Sequence, residues 1–158
     1  LIGTASTKAK CERAIAHGAA ECYLSDDPDL AETLKQASGG QGFPVVYDSV
    51  GHSTYRLSLE ALAPFGTFAS FGNASGPIAS IVPAELATHG SLKFTRPTLA
   101  TYLFTPGWMQ ASAERIFALM EAGALAPEIN QRYRLTEVVQ AHRDLESRAT
   151  TGCSVILP

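Results

Sequence analysis

Short apolar runs alternate with longer mixed stretches over the first half of the chain, and glycine, proline or serine falls at nearly every junction. Leu1 to Ala5 reads as a short apolar strand. Thr7 to His17 reads as a helix, capped by Ser6 or Thr7 and stopped by Gly18. Glu21 to Leu24 is a short strand, and Asp29 to Ala37 a helix with Ser25, Asp26 and Asp27 as cap candidates and Pro28 suited to its first turn. Pro44 to Val50 reads as a buried strand with Gly51 at its carboxyl end. Thr54 to Leu62 follows as a helix carrying Leu57, Leu59 and Leu62, and Pro64-Phe65-Gly66 turns the chain into a strand from Thr67 to Phe71. Strand and helix in alternation with short connections predict a parallel sheet covered by helices.

The rhythm changes after Phe71. Gly72 to Pro83 is rich in glycine, proline, serine and small apolar residues, which suits a mobile loop over a ligand better than a helix. Ser91 to Arg96 alternates as a strand does. Trp108 to Glu121 predicts a helix with Ile116, Phe117, Leu119 and Met120 inward, stopped near Gly123. Thr136 to Ser147 predicts a second, with Thr136 as N-cap and Glu137 in its first turn, and Ser154 to Leu157 closes as a strand. No internal repeat or low-complexity tract interrupts the pattern.

The composition narrows the function classes. The 158 residues are 46% hydrophobic and 17% charged, with 12 Lys and Arg against 15 Asp and Glu, a formal net charge of −3. That excludes a disordered chain and a collagen repeat, and the length suits one ordinary core. Without a basic surplus, nucleic acid is not an expected partner. No apolar run approaches the roughly 20 residues that span a bilayer, so no membrane partner is expected either. Cys11, Cys22 and Cys153 form no C-x-x-C pair, and with His17, His52, His89 and His142 they make no zinc-ligand spacing. Free, mostly buried thiols in a reducing cytoplasm and no metal site are therefore expected. Leu1-Ile2-Gly3-Thr4 resembles the end of a buried strand with no charged stretch before it, which predicts a trimmed piece rather than a signal peptide.

In doubly wound sheets, ligands bind beyond the carboxyl ends of the strands. Those ends here hold Gly3-Thr4-Ala5-Ser6-Thr7, Tyr23-Leu24-Ser25, Asp48-Ser49-Val50-Gly51 and Phe71-Gly72-Asn73-Ala74-Ser75-Gly76. Small residues admit a ligand close to the backbone, and hydroxyls can hydrogen-bond ribose and phosphate. One such turn is ordinary; four in series point to a ligand.

Gly3-Thr4 with Lys10, then Val46-Tyr47-Asp48-Ser49-Val50-Gly51, Ser70-Phe71-Gly72-Asn73, Gly90-Ser91-Leu92, Thr95-Arg96-Pro97 and Leu145-Glu146-Ser147-Arg148-Ala149-Thr150-Thr151-Gly152 occur in that order. In these segments the chain resembles the quinone oxidoreductases, the zinc-free branch of the medium-chain dehydrogenase/reductase superfamily, over almost its whole length. The resemblance implies a Rossmann-like α/β fold with a doubly wound parallel sheet, NADPH as cofactor, and quinones or enones as small-molecule substrates. It also implies that residues 1–158 are the distal part of the dinucleotide-binding domain with the C-terminal helix and strand of the chain. The first strand, its Gly-rich loop and the N-terminal substrate domain are then missing. The piece alone is expected to be inactive and to bind NADPH weakly.

Enzymes that prefer NAD place a carboxylate at the end of the second strand. If Leu1 to Thr4 is that strand, its end holds Thr4, Ser6 and Thr7, with Lys8 and Lys10 following and no acid. The resemblance assigns a 2′-phosphate role to Lys10, and Lys8 reads as a solvated helix face. Ser25 stands where the resemblance places a tyrosine near the same phosphate. By the same resemblance Ser49 and Val50 line the cofactor, Phe71, Asn73 and Ser75 lie along its nicotinamide half, Thr98 and Leu99 lie near the nicotinamide ring, and Arg148 reaches the cofactor late in the chain. Competing explanations stay open: a core position for Phe71, a strand-end turn for Thr98 and Leu99, and a helix C-terminal cation for Arg148.

No catalytic residue is assigned. His52 reads as an exposed turn residue, His142 as a surface residue, and Tyr47 and Asp48 as structural; in hydride transfer the cofactor carries the chemistry. An enoyl thioester reductase of the same superfamily and a non-catalytic nucleotide-binding or lens-type structural protein remain alternatives. Ser91 to Arg96 falls at the sheet edge, and the resemblance makes it the segment through which two coenzyme domains pair as a homodimer. In the strand order 3-2-1-4-5-6 the missing strand is central, so an open gap is expected between the strands at Leu1–Ala5 and Pro44–Val50.

Overall fold

The structure, a computed structural model, describes residues 1–158. It divides into two compact units, Leu1–Tyr102 and Leu103–Pro158. In the first, β1 (Ile2–Ala5) leads into α1 (Lys8–Ala16), β2 (Glu21–Leu24), α2 (Leu30–Ala37) and β3 (Phe43–Asp48). Then come α3 (Tyr55–Glu60), β4 (Leu62–Ser70), α4 (Pro83–Thr88), β5 (Lys93–Thr95) and α5 (Leu99–Leu103). The second unit holds α6 (Trp108–Glu121), β6 (Ile129–Arg134), a 3-10 turn at Leu135–Glu137, α7 (Val138–Glu146) and β7 (Cys153–Leu157).

Every strand pair is parallel, as the alternation predicts. β1 pairs with β2 from Ile2↔Glu21 to Ala5↔Leu24. β4 lies between β3 and β5. Between β1 and β3 there is no ladder; a cavity of about 540 Å3 lies there, lined by Leu1–Thr4 and Phe43–Val50. The second unit carries the separate pair β6–β7.

Local signals account for most boundaries. Thr7 caps α1, its Oγ1 accepting from the Lys10 N–H at 3.3 Å, and Gly18 follows the helix at φ 100°. The core of the first unit joins Leu59, Leu62, Phe68 and Leu92, with Val46, Tyr55, Ile78, Ile81 and Leu86 packed against them. Phe94 meets Phe68 edge-on, ring centroids 5.4 Å apart.

Several sequence expectations are corrected. Pro28 precedes the N-cap Asp29 instead of sitting in the first turn of α2. Leu62 belongs to β4, not to the preceding helix: it pairs with Phe43, and Pro64–Gly66 form an irregularity before pairing resumes at Val45↔Thr67. β3 is less buried than its composition suggests, with Tyr47 71% exposed, because its other edge faces the cavity. Thr136 lies in a 3-10 turn, and Glu137 is the N-cap of α7. Thr98 and Leu99 lead into a short helix, where Thr98 and Thr101 hydroxyls meet at 2.9 Å, rather than forming a simple strand-end turn. β6 escaped notice because Asn130, Gln131, Arg132 and Arg134 hide its apolar period. On α6, Ile116, Phe117, Leu119 and Met120 are exposed, not inward; the second unit has no broad sheet face to cover a 14-residue helix.

Candidate functional site

Gly3, Thr4, Ser6, Ser25, Ser49, Val50, Phe71, Asn73 and Ser75 lie at or just beyond strand ends, whereas Lys10 is on α1, Thr98 and Leu99 are at the start of α5, and Arg148 follows α7 in the second unit. After β1, Thr4 and Ser6 are exposed, while Gly3 and Lys10 are half-buried. A Cβ on Gly3 would meet only the Cys22 sulfur at 3.7 Å. Beside them β2 ends at the exposed Ser25, whose N–H donates to the Ala5 carbonyl at 2.9 Å. The carboxyl end of β1 therefore offers hydroxyls and Lys10 with no acid before the start of α1, as the charge argument expected.

The cavity beside β1 brings Gly3 and Thr4 together with Ser49 and Val50. Its walls are two unpaired strand edges with Leu1, Ile2, Leu34, Val45, Val46 and Leu57. That lining has the shape and polarity of a strand slot. Thr4 and Ser49 bring hydroxyls to this lining.

A tight construction follows β3. Asp48 is 5% exposed, and its Oδ1 accepts from the N–H groups of Val50 at 2.7 Å and Gly51 at 3.0 Å. Its Oδ2 accepts from the hydroxyls of Thr54 at 2.7 Å and Ser58 at 2.8 Å. Burial pushes this carboxyl up, but the four donors together outweigh it and hold it below the usual carboxylate value. Residues 71–76 are laid against this turn. Phe71 N–H donates to Asp48 O at 2.8 Å, Ala74 N–H to Ser49 O at 3.2 Å, and Ser75 N–H to Val50 O at 2.8 Å.

Ser75 Oγ also donates to Val50 O at 2.8 Å and accepts from Ser53 N–H at 3.0 Å, so its hydroxyl is occupied in clasping the loop. Phe71 is 51% exposed and Asn73 exposed. The core explanation for Phe71 therefore fails: Phe68 fills that core position, and Phe71 lies beyond the strand end.

Asn73 also lines a smaller cavity of about 260 Å3 with Ser70, Pro77, Ile78, Phe94 and Arg96. The Arg96 guanidinium donates to Ser70 O at 3.0 Å. Sequence reasoning placed Arg96 in an edge strand and missed this cavity; the Thr95-Arg96-Pro97 segment was its only trace. Thr98 and Leu99 are exposed at the start of α5. Arg148 is in the second unit, exposed, at φ 60° one residue beyond the C-cap Ser147. This is the left-handed position that ordinarily favours glycine.

Residues 17–156 match the family described as zinc-binding dehydrogenase. The chain belongs to that family. Its relatives include a quinone oxidoreductase of Pseudomonas aeruginosa, 45% identical over 158 residues, and quinone oxidoreductase 1 of Escherichia coli, 38% identical over 160 residues. Both alignments cover 100% of this chain and 49% of the relative. An Escherichia coli quinone oxidoreductase crystallised with NADPH superimposes with a TM-score of 0.96 at 38% identity, over 100% of this chain and 49% of that one. The Rossmann-like coenzyme fold is thus shown, and the chain spans about half the length of the relatives it matches.

As to the metal in the family's description, no three His, Cys, Asp or Glu side chains in this zinc-binding dehydrogenase chain group so as to hold an ion. The residues present do not fit one. The strand-end hydroxyls and Lys10 are donors of the kind a phosphorylated cofactor takes, whereas Gly51 and Gly72 are taken up by the contact between the 49–53 turn and the 71–76 loop.

Proposed function

We propose that the chain is the distal part of the coenzyme domain of an NADPH-dependent oxidoreductase that transfers hydride to quinones or related activated double bonds. The identity of 45% across the whole chain to a quinone oxidoreductase carries this reading. The acid-free end of β1 supports NADPH over NADH, since a 2′-phosphate meets Thr4, Ser6 and Lys10 there instead of a carboxylate. Ser25, Ser49 and Val50 line the same dinucleotide. Phe71 and Asn73 approach its nicotinamide half, with Ser75 holding their loop. Thr98 and Leu99 lie near the ring, and Arg148 reaches the cofactor from the late part of the chain. When bound, NADPH supplies the hydride; the chain supplies position and charge.

A second substrate class has its own support. A 2-haloacrylate reductase of Burkholderia is 36% identical over 159 residues, which favours including activated carbon–carbon double bonds as acceptors. The test uses the full native polypeptide that contains this chain, NADPH, and a panel of quinones, enones and acrylates, followed by loss of reduced-nicotinamide absorbance. Turnover of a quinone supports the reading. No turnover of any acceptor, with NADPH bound, favours a non-catalytic nucleotide-binding protein.

The setting proposed is cytoplasmic; no helix is long and apolar enough to cross a membrane. We further propose a homodimer through Ser91 to Arg96. β5 is the outer strand of its sheet, and its free edge supports pairing with a second copy. A monomeric mass by light scattering at roughly tens of micromolar protein, well above the micromolar-or-tighter dissociation constant of a stable dimer, counts against it.

A further inference from the structure

Asp48 is a carboxylate without a cation. It accepts four hydrogen bonds, all from uncharged donors: two backbone N–H groups of the turn after β3 and two hydroxyls from the start and middle of α3. Such an arrangement fixes the turn from below and the helix from the side at once. The turn is in turn the template for residues 71–76. Asp48 O, Ser49 O and Val50 O each accept an N–H from that loop, and His52 N–H donates back to Gly76 O at 3.0 Å. The two segments touch backbone to backbone. A Cβ on Gly51 would lie 2.6 Å from Gly76 O, and one on Gly72 would lie 2.2 Å from Ser49 O. At these two glycines the backbones meet with no side chain between them, so a shift of the turn is passed to Phe71 and Asn73.

We propose that Asp48 is a positioning residue for the cofactor: by fixing the 49–53 turn it sets the loop that carries Phe71 and Asn73, without touching the dinucleotide itself. This rests on the NADPH reading above. Asp48→Asn preserves the construction, because its Oδ1 still accepts from Val50 and Gly51 while its Nδ2 donates to the Thr54 and Ser58 hydroxyls, which reverse their roles. Asp48→Ala removes all four bonds.

The experiment uses the full native polypeptide and two readouts that need no turnover: NADPH affinity by fluorescence titration, and amide hydrogen exchange. For Asp48→Ala we expect NADPH affinity to fall about tenfold or more, because the four bonds that fix the template of the 71–76 loop are lost. Exchange should quicken in both 49–53 and 71–76 while residues 2–24 keep their protection. Asp48→Asn should stay within about threefold of the unsubstituted protein in affinity, its hydrogen bonds being retained.

Where Asp48→Ala fails to fold, the pair Thr54→Val and Ser58→Ala, which strips Oδ2 of its donors, carries the same expectations at smaller size. Unchanged NADPH affinity in Asp48→Ala overturns the proposal. So does faster exchange confined to 49–53, faster exchange everywhere, or an Asn variant as weak as the Ala variant. If the unsubstituted protein binds no NADPH, the cofactor reading itself falls; if it binds and Asp48→Ala binds equally well, only the positioning role falls.

Discussion

Replacing Gly72 by alanine tests the stitched loops most directly. Gly72 does not adopt a positive φ, so alanine suffers no backbone strain there, and the whole cost is steric. The new Cβ would lie 2.2 Å from Ser49 O and 2.7 Å from Ser49 C and Cα, where ordinary contact begins at 3.4 Å. The gap between 2.2 Å and 3.4 Å requires the two backbones to part by about 1.2 Å. Neither can rotate away as a side chain does. Such a parting lengthens the Phe71–Asp48 and Ala74–Ser49 hydrogen bonds, now 2.8 and 3.2 Å, beyond useful range. Two lost bonds at about 0.5–1.5 kcal/mol each, with about 1–3 kcal/mol of overpacking, give a destabilisation of about 2–6 kcal/mol. In a polypeptide of the relatives' length, about twice this chain, even the lower bound lowers Tm by about 2–4 °C. Thermal unfolding of the full native polypeptide reads this, with Gly39→Ala as the comparison. Gly39 sits at φ 65° with nothing within 4 Å, so alanine there meets only the left-handed backbone penalty of about 1–2 kcal/mol. NADPH affinity should fall with Gly72→Ala and not with Gly39→Ala. A Tm for Gly72→Ala equal to or above that of Gly39→Ala would refute the reasoning.

Lys10→Ala should weaken NADPH by about tenfold to a hundredfold and leave NADH nearly unchanged, because one charge-assisted bond to phosphate is lost; equal losses in calorimetry remove Lys10 from the 2′-phosphate. The Cys22 thiol is pushed up to about 11 by burial and by the neighbouring Cys11 thiol, whereas Cys153 is exposed. A disulfide reagent at pH 8 (about half a unit below a free thiol's value) should therefore modify Cys153 first, and rapid modification of Cys22 would contradict this. Asp48 is held below its unfolded value, so its contribution to stability is present above an unfolded carboxyl pKa of about 3.9 and disappears as pH falls through the folded value. The stability advantage over Asp48→Asn should accordingly stay level from neutral pH down to the unfolded value and shrink below it; an advantage that grows with acid is the opposite sign. Arg148→Gly should weaken NADPH binding in the same fluorescence titration, and unchanged affinity removes Arg148 from the cofactor site.

Strand and helix identity were legible where the signal is local. The strand read over 44–50 ends at Asp48 and the one read over 91–96 forms only at Lys93–Thr95, while the cap at Thr7 and the stop at Gly18 depend on a few neighbouring residues and sit where the sequence places them. The same holds for the acid-free end of β1, since charge at a strand end can be read without coordinates. What needed the tertiary structure was whatever joins residues far apart in the chain. Asp48 looks like an ordinary strand-end residue until Thr54 and Ser58 are seen to converge on it from α3. Ser75 looks like a cofactor hydroxyl until Val50 and Ser53 occupy it. Leu62 carries the period of a helix, yet Phe43, nineteen positions earlier, draws it into a strand. Tyr47 has a buried strand's sequence but stands exposed because burial is decided by the neighbouring strand, not by its own residues. Periodicity fixes which way a side chain points; only the packed fold decides what it meets.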